Sequence, residues 1–139
     1  MKLFLDANIL VSVLNKEYPV FSYSSRILSL ADQKPFRLYT SAICLAIAYY
    51  FSEKKSGRVL AGKKMELLCS KINICPSNGE TVQATLANKK IKDFEDGLEY
   101  YAALHSKCDC ILTENESDYY FSAIEVMNSM RFIEKYFRQ

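Results

Sequence analysis

Acidic and amide side chains recur in three parts of the chain: at Asp6, between Asp93 and Asp96, and in the loop 114–118. Two carboxylates held about 4 Å apart repel by roughly 4 kcal/mol at an effective dielectric constant of about 20, so such a cluster takes up a proton or a cation. Oxygen ligands favour Mg²⁺ or Mn²⁺ over Zn²⁺. A hard divalent ion can activate water and neutralise charge on a phosphodiester. These residues therefore indicate metal-assisted hydrolysis, provided that the fold brings them together.

The apolar pattern predicts the elements that must position these groups. Short apolar runs indicate strands at 3–5, 36–41, 72–75, 109–113 and 124–127, and segments with helical periodicity lie between them. Strands that alternate with helices predict an α/β sandwich with a mainly parallel central sheet of four to five strands. The length of 139 residues is typical of a single domain, which we expect to span 1–139.

The predicted sheet brings the acidic groups to one edge. In an open parallel sheet, ligands bind outside the carboxyl ends of the strands. Asp6 ends the first strand, the loop 114–118 follows the fourth, and the helix that carries Asp96 can bring its carboxylate to the same rim. The alternative is that each acid only stabilises a helix start, by about 0.3–1 kcal/mol.

Composition argues against several classes of protein. The net charge of +2 does not indicate a uniformly basic protein, and one histidine with five cysteines lacking any CxxC pair argues against a zinc site. The cysteines are expected to be buried thiols in a reducing cytoplasm. The longest apolar run, 42–51, is about half the length that a membrane span needs, so we expect no membrane insertion. The helix over this run is so apolar that we place it centrally in the core.

Two surface features could serve a nucleic acid. The densest basic segment contains Lys54, Lys55, Arg58, Lys63 and Lys64. It either binds RNA phosphates beside the acidic crevice or forms a solvated helix face. The aromatic cluster 119–121 either stacks on unpaired bases or packs in the core.

Three segments, in order along the chain, resemble the signature blocks of the PIN-domain ribonucleases, in particular the VapC-type toxins. They are 4–10, 96–104 and 111–119, and the segments 124–127 and 131–133 resemble that family's last strand and helix. The resemblance implies a three-layer α/β/α sandwich and an endoribonuclease that depends on Mg²⁺ or Mn²⁺. It further implies a role as the toxin of a bacterial toxin–antitoxin pair, with a small antitoxin protein as partner and a homodimeric state.

The resemblance also assigns residues. It implies metal ligands at four positions, the first two of them catalytic: Asp6, Asp96, Asn115 and Asp118. Supporting or substrate-contacting roles fall on Asn8, Ser41, Thr113 and Asp93. Among these, Asn8 is expected to orient Asp6, and Thr113 to hydrogen-bond a ligand carboxylate or the scissile phosphate.

One position departs from the family pattern. The family usually carries a glutamate on the helix after strand two, where this chain has Ile47, and Glu53 lies almost two turns further on. Isoleucine cannot bind a metal ion, which leaves two main hypotheses: a metal-dependent endoribonuclease, and a degenerate PIN-like module that binds RNA or protein. Phosphoryl transfer through an aspartyl phosphate at Asp6 is a third, but Asn8 occupies the place of its second acid and no suitable lysine follows a late strand.

Overall fold

The computed structural model describes residues 1–137 and contains a five-stranded sheet. The strands are β1 (Lys2–Leu5), β2 (Arg37–Ser41), β3 (Asn73–Cys75), β4 (Cys110–Leu112) and β5 (Glu125–Met127). They lie in the order β3-β2-β1-β4-β5, and every neighbouring pair is parallel. The predicted α/β fold with a mainly parallel sheet is confirmed.

Over the described residues, seven α-helices connect and cover the strands: α1 (Ala7–Leu14), α2 (Phe21–Ser29), α3 (Ala42–Ser56), α4 (Arg58–Cys69), α5 (Gly79–Ala87), α6 (Phe94–His105) and α7 (Ser129–Phe137). Helices α1 to α4 and α7 pack on one another, whereas α5 packs on α6. The chain moves one way across the sheet from β1 to β3 and the other way from β3 to β4. Right-handed crossovers therefore place the two groups on opposite faces, as a three-layer sandwich requires.

Strand β1 occupies the centre of the sheet. Its residues Leu3 and Phe4 are fully buried because helices cover both faces, which explains the uninterrupted apolar run at this point. Leu5 lies opposite Leu112 of β4, and the Asp6 amide donates to the Leu112 carbonyl at 3.0 Å. The strand order changes direction here, so the residues that follow β1 and β4 begin side by side.

Side-chain caps fix the starts of three helices at this edge. Asp6 Oδ1 accepts from the Ala7 amide at 2.7 Å at the start of α1. Ser41 Oγ accepts from the Cys44 amide at 3.2 Å at the start of α3. Asp93 Oδ1 accepts from the Asp96 amide at 3.1 Å at the start of α6. Each cap satisfies an otherwise unpaired amide and holds its helix start in one orientation.

Helix α3 is less central than its composition predicts. Its buried residues are the small Cys44, Ala48 and Ser52, whereas Tyr50 and Phe51 are 54% and 45% exposed. The helix packs closely on α1 and α4 through its small side chains, which leaves these aromatic rings outside. The prediction of a central core helix was therefore wrong.

Two further sequence predictions concern cysteines and membranes. All five cysteines are free thiols; Cys69 is half-buried and the other four are buried. Within residues 1–137, we find no helix with the length and apolar character of a membrane span.

Candidate metal centre

Asp6 lies at the innermost point of the acidic edge and is only 7% exposed. Besides capping α1, its carboxylate accepts a hydrogen bond at Oδ2 from Thr113 Oγ1 at 2.8 Å, and the same oxygen lies 3.1 Å from the Tyr119 hydroxyl. Both hydroxyls come from beyond the end of β4, so the parallel pairing of β1 with β4 creates the contact. The carboxylate is held by its surroundings in one position.

Thr113 has a single possible hydrogen-bonding arrangement. Its hydroxyl oxygen accepts from the side-chain amide of Asn8 at 3.0 Å and from the backbone amide of Asn115 at 3.1 Å. Both partners are donors, so the one hydroxyl proton is left for Asp6. Asn8 Oδ1 in turn accepts from the Glu114 amide at 3.0 Å. Asn8 thus contacts Asp6 indirectly, through Thr113.

A second buried carboxylate, Glu99, lies beside Asp6. It is 2% exposed, and its Oε2 accepts from the Tyr119 hydroxyl at 2.7 Å. Its other oxygen, Oε1, is buried and has no hydrogen-bond partner in the described part of the chain, residues 1–137. Ligand atoms of Asp6, Glu99 and Cys44 all lie within 4.8 Å of one another, and the Cys44 thiol is 3.8 Å from Asp6 Oδ1.

The proximity of these acids changes their proton affinities. Burial, and next the charge of Asp6, raises the pKa of Glu99 to about 9. Burial raises the pKa of Asp96 to about 7, with further contributions from Asp93 and Asp118. Burial and then the neighbouring carboxylates also raise the pKa values of Tyr119 and Cys44. The cluster therefore carries an excess of negative charge, which a proton or a metal ion can neutralise.

These acids form the wall of an open crevice of about 480 Å³. Six of the predicted site residues line it: Asp6, Asn8, Asp93, Asp96, Asn115 and Asp118. Three acids that were not predicted as site residues also line it: Glu17, Glu95 and Glu99. Within residues 1–137, the lining contains no lysine or arginine. Several carboxylates, an amide and an unpartnered buried oxygen form a donor set that suits a hard divalent ion. Cys44 contributes little to such a site, because a thiol with a raised pKa stays neutral.

A sequence profile of the PIN domain matches residues 2–117. The chain belongs to the PIN domain family. Ribonuclease VapC1 of Aquifex aeolicus (strain VF5) is 26% identical in an alignment of 139 positions that covers 97% of this PIN domain chain and 95% of the relative. The resemblance inferred from the sequence is confirmed.

Solved structures share the fold. VapBC2 from Rickettsia felis, bound to a DNA fragment from its promoter, matches this PIN domain with a TM-score of 0.72 at 20% identity, over 92% of this chain and 98% of that one. VapBC-1 from nontypeable Haemophilus influenzae gives 0.71 at 18% identity, over 94% and 99%. Mycobacterium tuberculosis VapC20, a sarcin-ricin loop cleaving toxin, gives 0.62 at 13% identity, over 78% and 86%.

Two predicted supporting residues lie outside the lining of the crevice. Ser41 is fully buried and caps α3, and Thr113 is fully buried behind Asp6. Ile47 does line the crevice, on the α3 side. Sequence reasoning missed Glu99, although it lies three residues after Asp96 and therefore on the same face of α6.

The basic segment divides into two groups. Lys55 Nζ donates to the Asn15 carbonyl at 2.5 Å, and Lys64 Nζ donates to the Leu14 carbonyl at 3.0 Å. Both ammonium groups thus satisfy carbonyls at the end of α1, where positive charge is favourable. Arg58 and Lys63 are exposed. Lys54 is also exposed and contacts the ring and hydroxyl of its neighbour Tyr50.

The tyrosines of the aromatic cluster 119–121 differ in their exposure to solvent. Tyr119 is 3% exposed, with its hydroxyl between the two buried carboxylates. It cannot stack on a base without unfolding. Tyr120 is 56% exposed, and its hydroxyl donates to the Lys90 carbonyl. The stacking alternative is therefore wrong for Tyr119.

Proposed function

We propose that this PIN domain is an endoribonuclease that uses Mg²⁺ or Mn²⁺ to hydrolyse RNA phosphodiester bonds. The observation that carries the proposal is the crevice itself, where Asp6 and Asp96 lie among further acids and no basic side chain from residues 1–137 lines the wall. An anionic substrate is repelled by such a surface unless a cation intervenes. A bound divalent ion supplies that charge and makes water a better nucleophile at neutral pH.

The residues of this chain have distinct roles in the proposal. Asp6 and Asp96 hold the ion, with Asn115 and Asp118 as further ligands from the loop after β4. Thr113 fixes the orientation of the Asp6 carboxylate through the hydrogen bond at 2.8 Å, and Asn8 fixes Thr113. These hydrogen bonds keep the Asp6 carboxylate in one orientation, so Asp6 would hold a bound ion, and the water that it activates, in a fixed place.

Positioning of Asp96 depends on the start of α6. Asp93 caps this helix by accepting from the Asp96 amide, which holds Asp96 in the first turn facing the crevice. Arg58, Lys63 and Lys54 are exposed and available to contact RNA phosphates outside the crevice. Ser41 acts through the start of α3, which it caps.

A toxin role in the cytoplasm, with a small antitoxin protein as partner and a homodimeric state, belongs to the same proposal. VapC1 of Aquifex aeolicus is a ribonuclease, and VapC20 of Mycobacterium tuberculosis is a toxin that cleaves the sarcin-ricin loop. The structures from Rickettsia felis and Haemophilus influenzae are of VapBC2 and VapBC-1. An antitoxin segment laid across the acidic crevice would exclude RNA from it.

Cleavage of structured RNA by the purified protein tests the nuclease proposal. We expect cleavage with Mn²⁺ or Mg²⁺, none with EDTA, and a loss of at least about 100-fold in Asp6→Asn, because the substitution removes a charge that holds the ion. Asp32→Asn is the matched control, since Asp32 lies at the surface and pairs with Lys71. Equal cleavage by wild type and Asp6→Asn contradicts the proposal.

Ile47 favours a second candidate, a degenerate module that binds RNA or protein without turnover, because an apolar side chain occupies part of the crevice wall. Calorimetry with Mn²⁺ separates the two. Absence of binding at millimolar ion supports the module, whereas binding that Asp96→Ala abolishes supports the enzyme. The aspartyl phosphate chemistry has no support, since no lysine from the described part of the chain lines the crevice beside Asp6.

A further inference from the structure

The unpartnered oxygen of Glu99 distinguishes this residue from the other acids of the crevice. Glu99 is 2% exposed, and Oε1 has no hydrogen-bond partner among residues 1–137. Buried carboxylate oxygens are almost always hydrogen-bonded or bound to a cation, because the loss of hydration is otherwise uncompensated. Its other oxygen is held by Tyr119 at 2.7 Å, so the carboxylate has a fixed orientation. The fold thus keeps one buried carboxyl oxygen available for a ligand.

The carboxylates of Glu99 and Asp6 are close enough to share one metal ion. Ligand atoms of Glu99 and Asp6 lie within 4.8 Å of each other, and Tyr119 bridges the two carboxylates. Two oxygens bound to one octahedral Mg²⁺ are about 3–4 Å apart, given metal–oxygen distances of about 2.1 Å. A small movement of either side chain suffices to bring both carboxylates onto one ion.

Helix α3 contributes no carboxylate to the lining of the crevice. Helix α3 contributes Ile47 and Phe51 to the lining, and Cys44 reaches Asp6 with a thiol whose pKa is raised by burial. The resemblance discussed above implies a glutamate at Ile47. Glu99 lies on α6 and also lines the crevice. The number of carboxylates around Asp6 is therefore preserved if the acid has moved from α3 to α6.

We propose that Glu99 is a metal ligand of this PIN domain and replaces the carboxylate that Ile47 cannot supply. The centre then consists of Asp6, Asp96 and Glu99, two of them one helical turn apart on α6, with Tyr119 holding Glu99 against Asp6. This inference rests on the proposed function only in taking Mg²⁺ or Mn²⁺ as the ion. Under this proposal, the isoleucine at position 47 means that the acidic ligand has moved to α6, and the metal site is retained.

Manganese binding without RNA tests this inference. Free Mn²⁺ is followed by its electron paramagnetic resonance signal during titration of the wild type, Glu99→Gln and Glu66→Gln. We expect Glu99→Gln to weaken binding by at least about tenfold, because it removes a charged ligand while keeping the shape of the side chain. Glu66 is an exposed acid on α4 and is the matched control. Unchanged Mn²⁺ affinity in Glu99→Gln overturns the inference.

A second variant tests the replacement itself. Ile47→Glu is introduced into the Glu99→Gln background, and we expect it to restore Mn²⁺ affinity to within about threefold of wild type, since both positions face the same crevice. A purely structural role of Glu99 gives no such rescue. Failure to restore binding, in a double variant whose circular dichroism matches wild type, overturns the relocation.

Thermal unfolding gives a readout that is independent of the spectroscopic one. A ligand that binds only the folded state raises the Tm, so millimolar Mn²⁺ should stabilise wild type and Glu66→Gln but stabilise Glu99→Gln far less. Equal stabilisation of all three proteins contradicts the inference.

The inference and the proposed function fail in different ways. Manganese binding that depends on Glu99, in a protein that cleaves no RNA, supports the ligand role and contradicts the nuclease. RNA cleavage with wild-type metal affinity in Glu99→Gln supports the nuclease and overturns the ligand role.

Discussion

The Tyr119 hydroxyl lies 2.7 Å from Oε2 of Glu99, and the same hydroxyl is 3.1 Å from Oδ2 of Asp6. A hydroxyl has one proton, so it cannot donate to both carboxylates at once. Without a metal ion, one of the two acids must carry a proton to complete the hydrogen bonds. The Tyr119 side chain therefore connects the protonation of Glu99 to the charge around Asp6.

Removal of this hydroxyl should destabilise the metal-free protein. Tyr119→Phe leaves two buried carboxylates without a shared donor, and we expect the free energy of unfolding to fall by about 1–3 kcal/mol. Urea unfolding in EDTA at pH 7 measures it. Tyr18→Phe is the control because Tyr18 is 71% exposed, and an equal effect of both substitutions contradicts the assigned role.

The stability of the metal-free protein should fall as pH rises, through Glu99. Burial raises the pKa of Glu99 to about 9 from an ordinary value of 4.5, so the folded protein holds this proton more tightly than the unfolded chain does. The resulting stabilisation is complete below pH 4.5 and is lost progressively as pH rises to about 9. In Glu99→Gln this contribution is absent, so urea unfolding in EDTA should show a weaker decline between pH 5 and about 9. An unchanged pH profile in Glu99→Gln contradicts the prediction.

Thr113 should matter through its hydroxyl alone. Thr113→Val removes the hydroxyl that donates to Asp6 and accepts from Asn8. The first of these hydrogen bonds is buried and the second is partly buried. We expect a loss of about 1–3 kcal/mol in unfolding free energy and weaker Mn²⁺ binding. Thr113→Ser keeps the hydroxyl and should restore most of both quantities, as measured by urea unfolding and metal titration. Equal behaviour of the two variants contradicts a role for the hydrogen bond.

The basic segment should separate into stabilising and RNA-binding residues. Lys64→Met removes hydrogen bonds to the Leu14 carbonyl and to Ser56, so we expect it to lower the unfolding free energy by about 1 kcal/mol. Lys63→Met should leave stability unchanged, since Lys63 is exposed. If RNA contacts this surface, Lys63→Met lowers RNA affinity and reduces its dependence on salt. Thermal unfolding and RNA titration at two salt concentrations give both quantities.

Two glycines in helices should respond oppositely to alanine. A Cβ at Gly97 would clash with Thr85 Cγ2 and meet Ile91 Cγ2 at 3.0 Å, so Gly97→Ala should force α5 and α6 apart and cost about 1–3 kcal/mol. Gly62 of α4 has open space around it, and Gly62→Ala should stabilise by about 0.5–1 kcal/mol. Urea unfolding of both variants checks the signs. Because Gly97 follows Asp96, its substitution should also weaken Mn²⁺ binding.

The sequence was sufficient to predict the sheet. Central parallel strands are buried on both faces, so they appear as uninterrupted apolar runs such as 3–5 and 110–112, with little ambiguity. Polar residues directly after these runs mark the carboxyl edge, which is why Asp6 and the loop 114–118 could be placed together. The helix α3 was harder to place, since composition does not tell which side of an apolar helix packs through small residues.

Glu99 could not be recognised from the sequence in the same way. A glutamate between Leu98 and Tyr100 in a helix is usually solvent-exposed, and its burial depends on Tyr119 folding over it from beyond β4. Tyr119 itself belonged to an aromatic run that gave no sign of its two carboxylate partners. The burial of Glu99 and the hydrogen bonds of Tyr119 both depend on contacts between residues distant in sequence, which local sequence patterns do not show.

The hydrogen bonds that hold Asp6 join residues 107 and 113 positions apart in the chain. During synthesis on a ribosome, Asp6 emerges 107 residues before the threonine and 113 residues before the tyrosine that fix it. An incomplete nascent polypeptide that ends before β4 therefore carries the first acid without the pocket that orients it. The acidic crevice can thus assemble only after the segment beyond β4 has emerged from the ribosome.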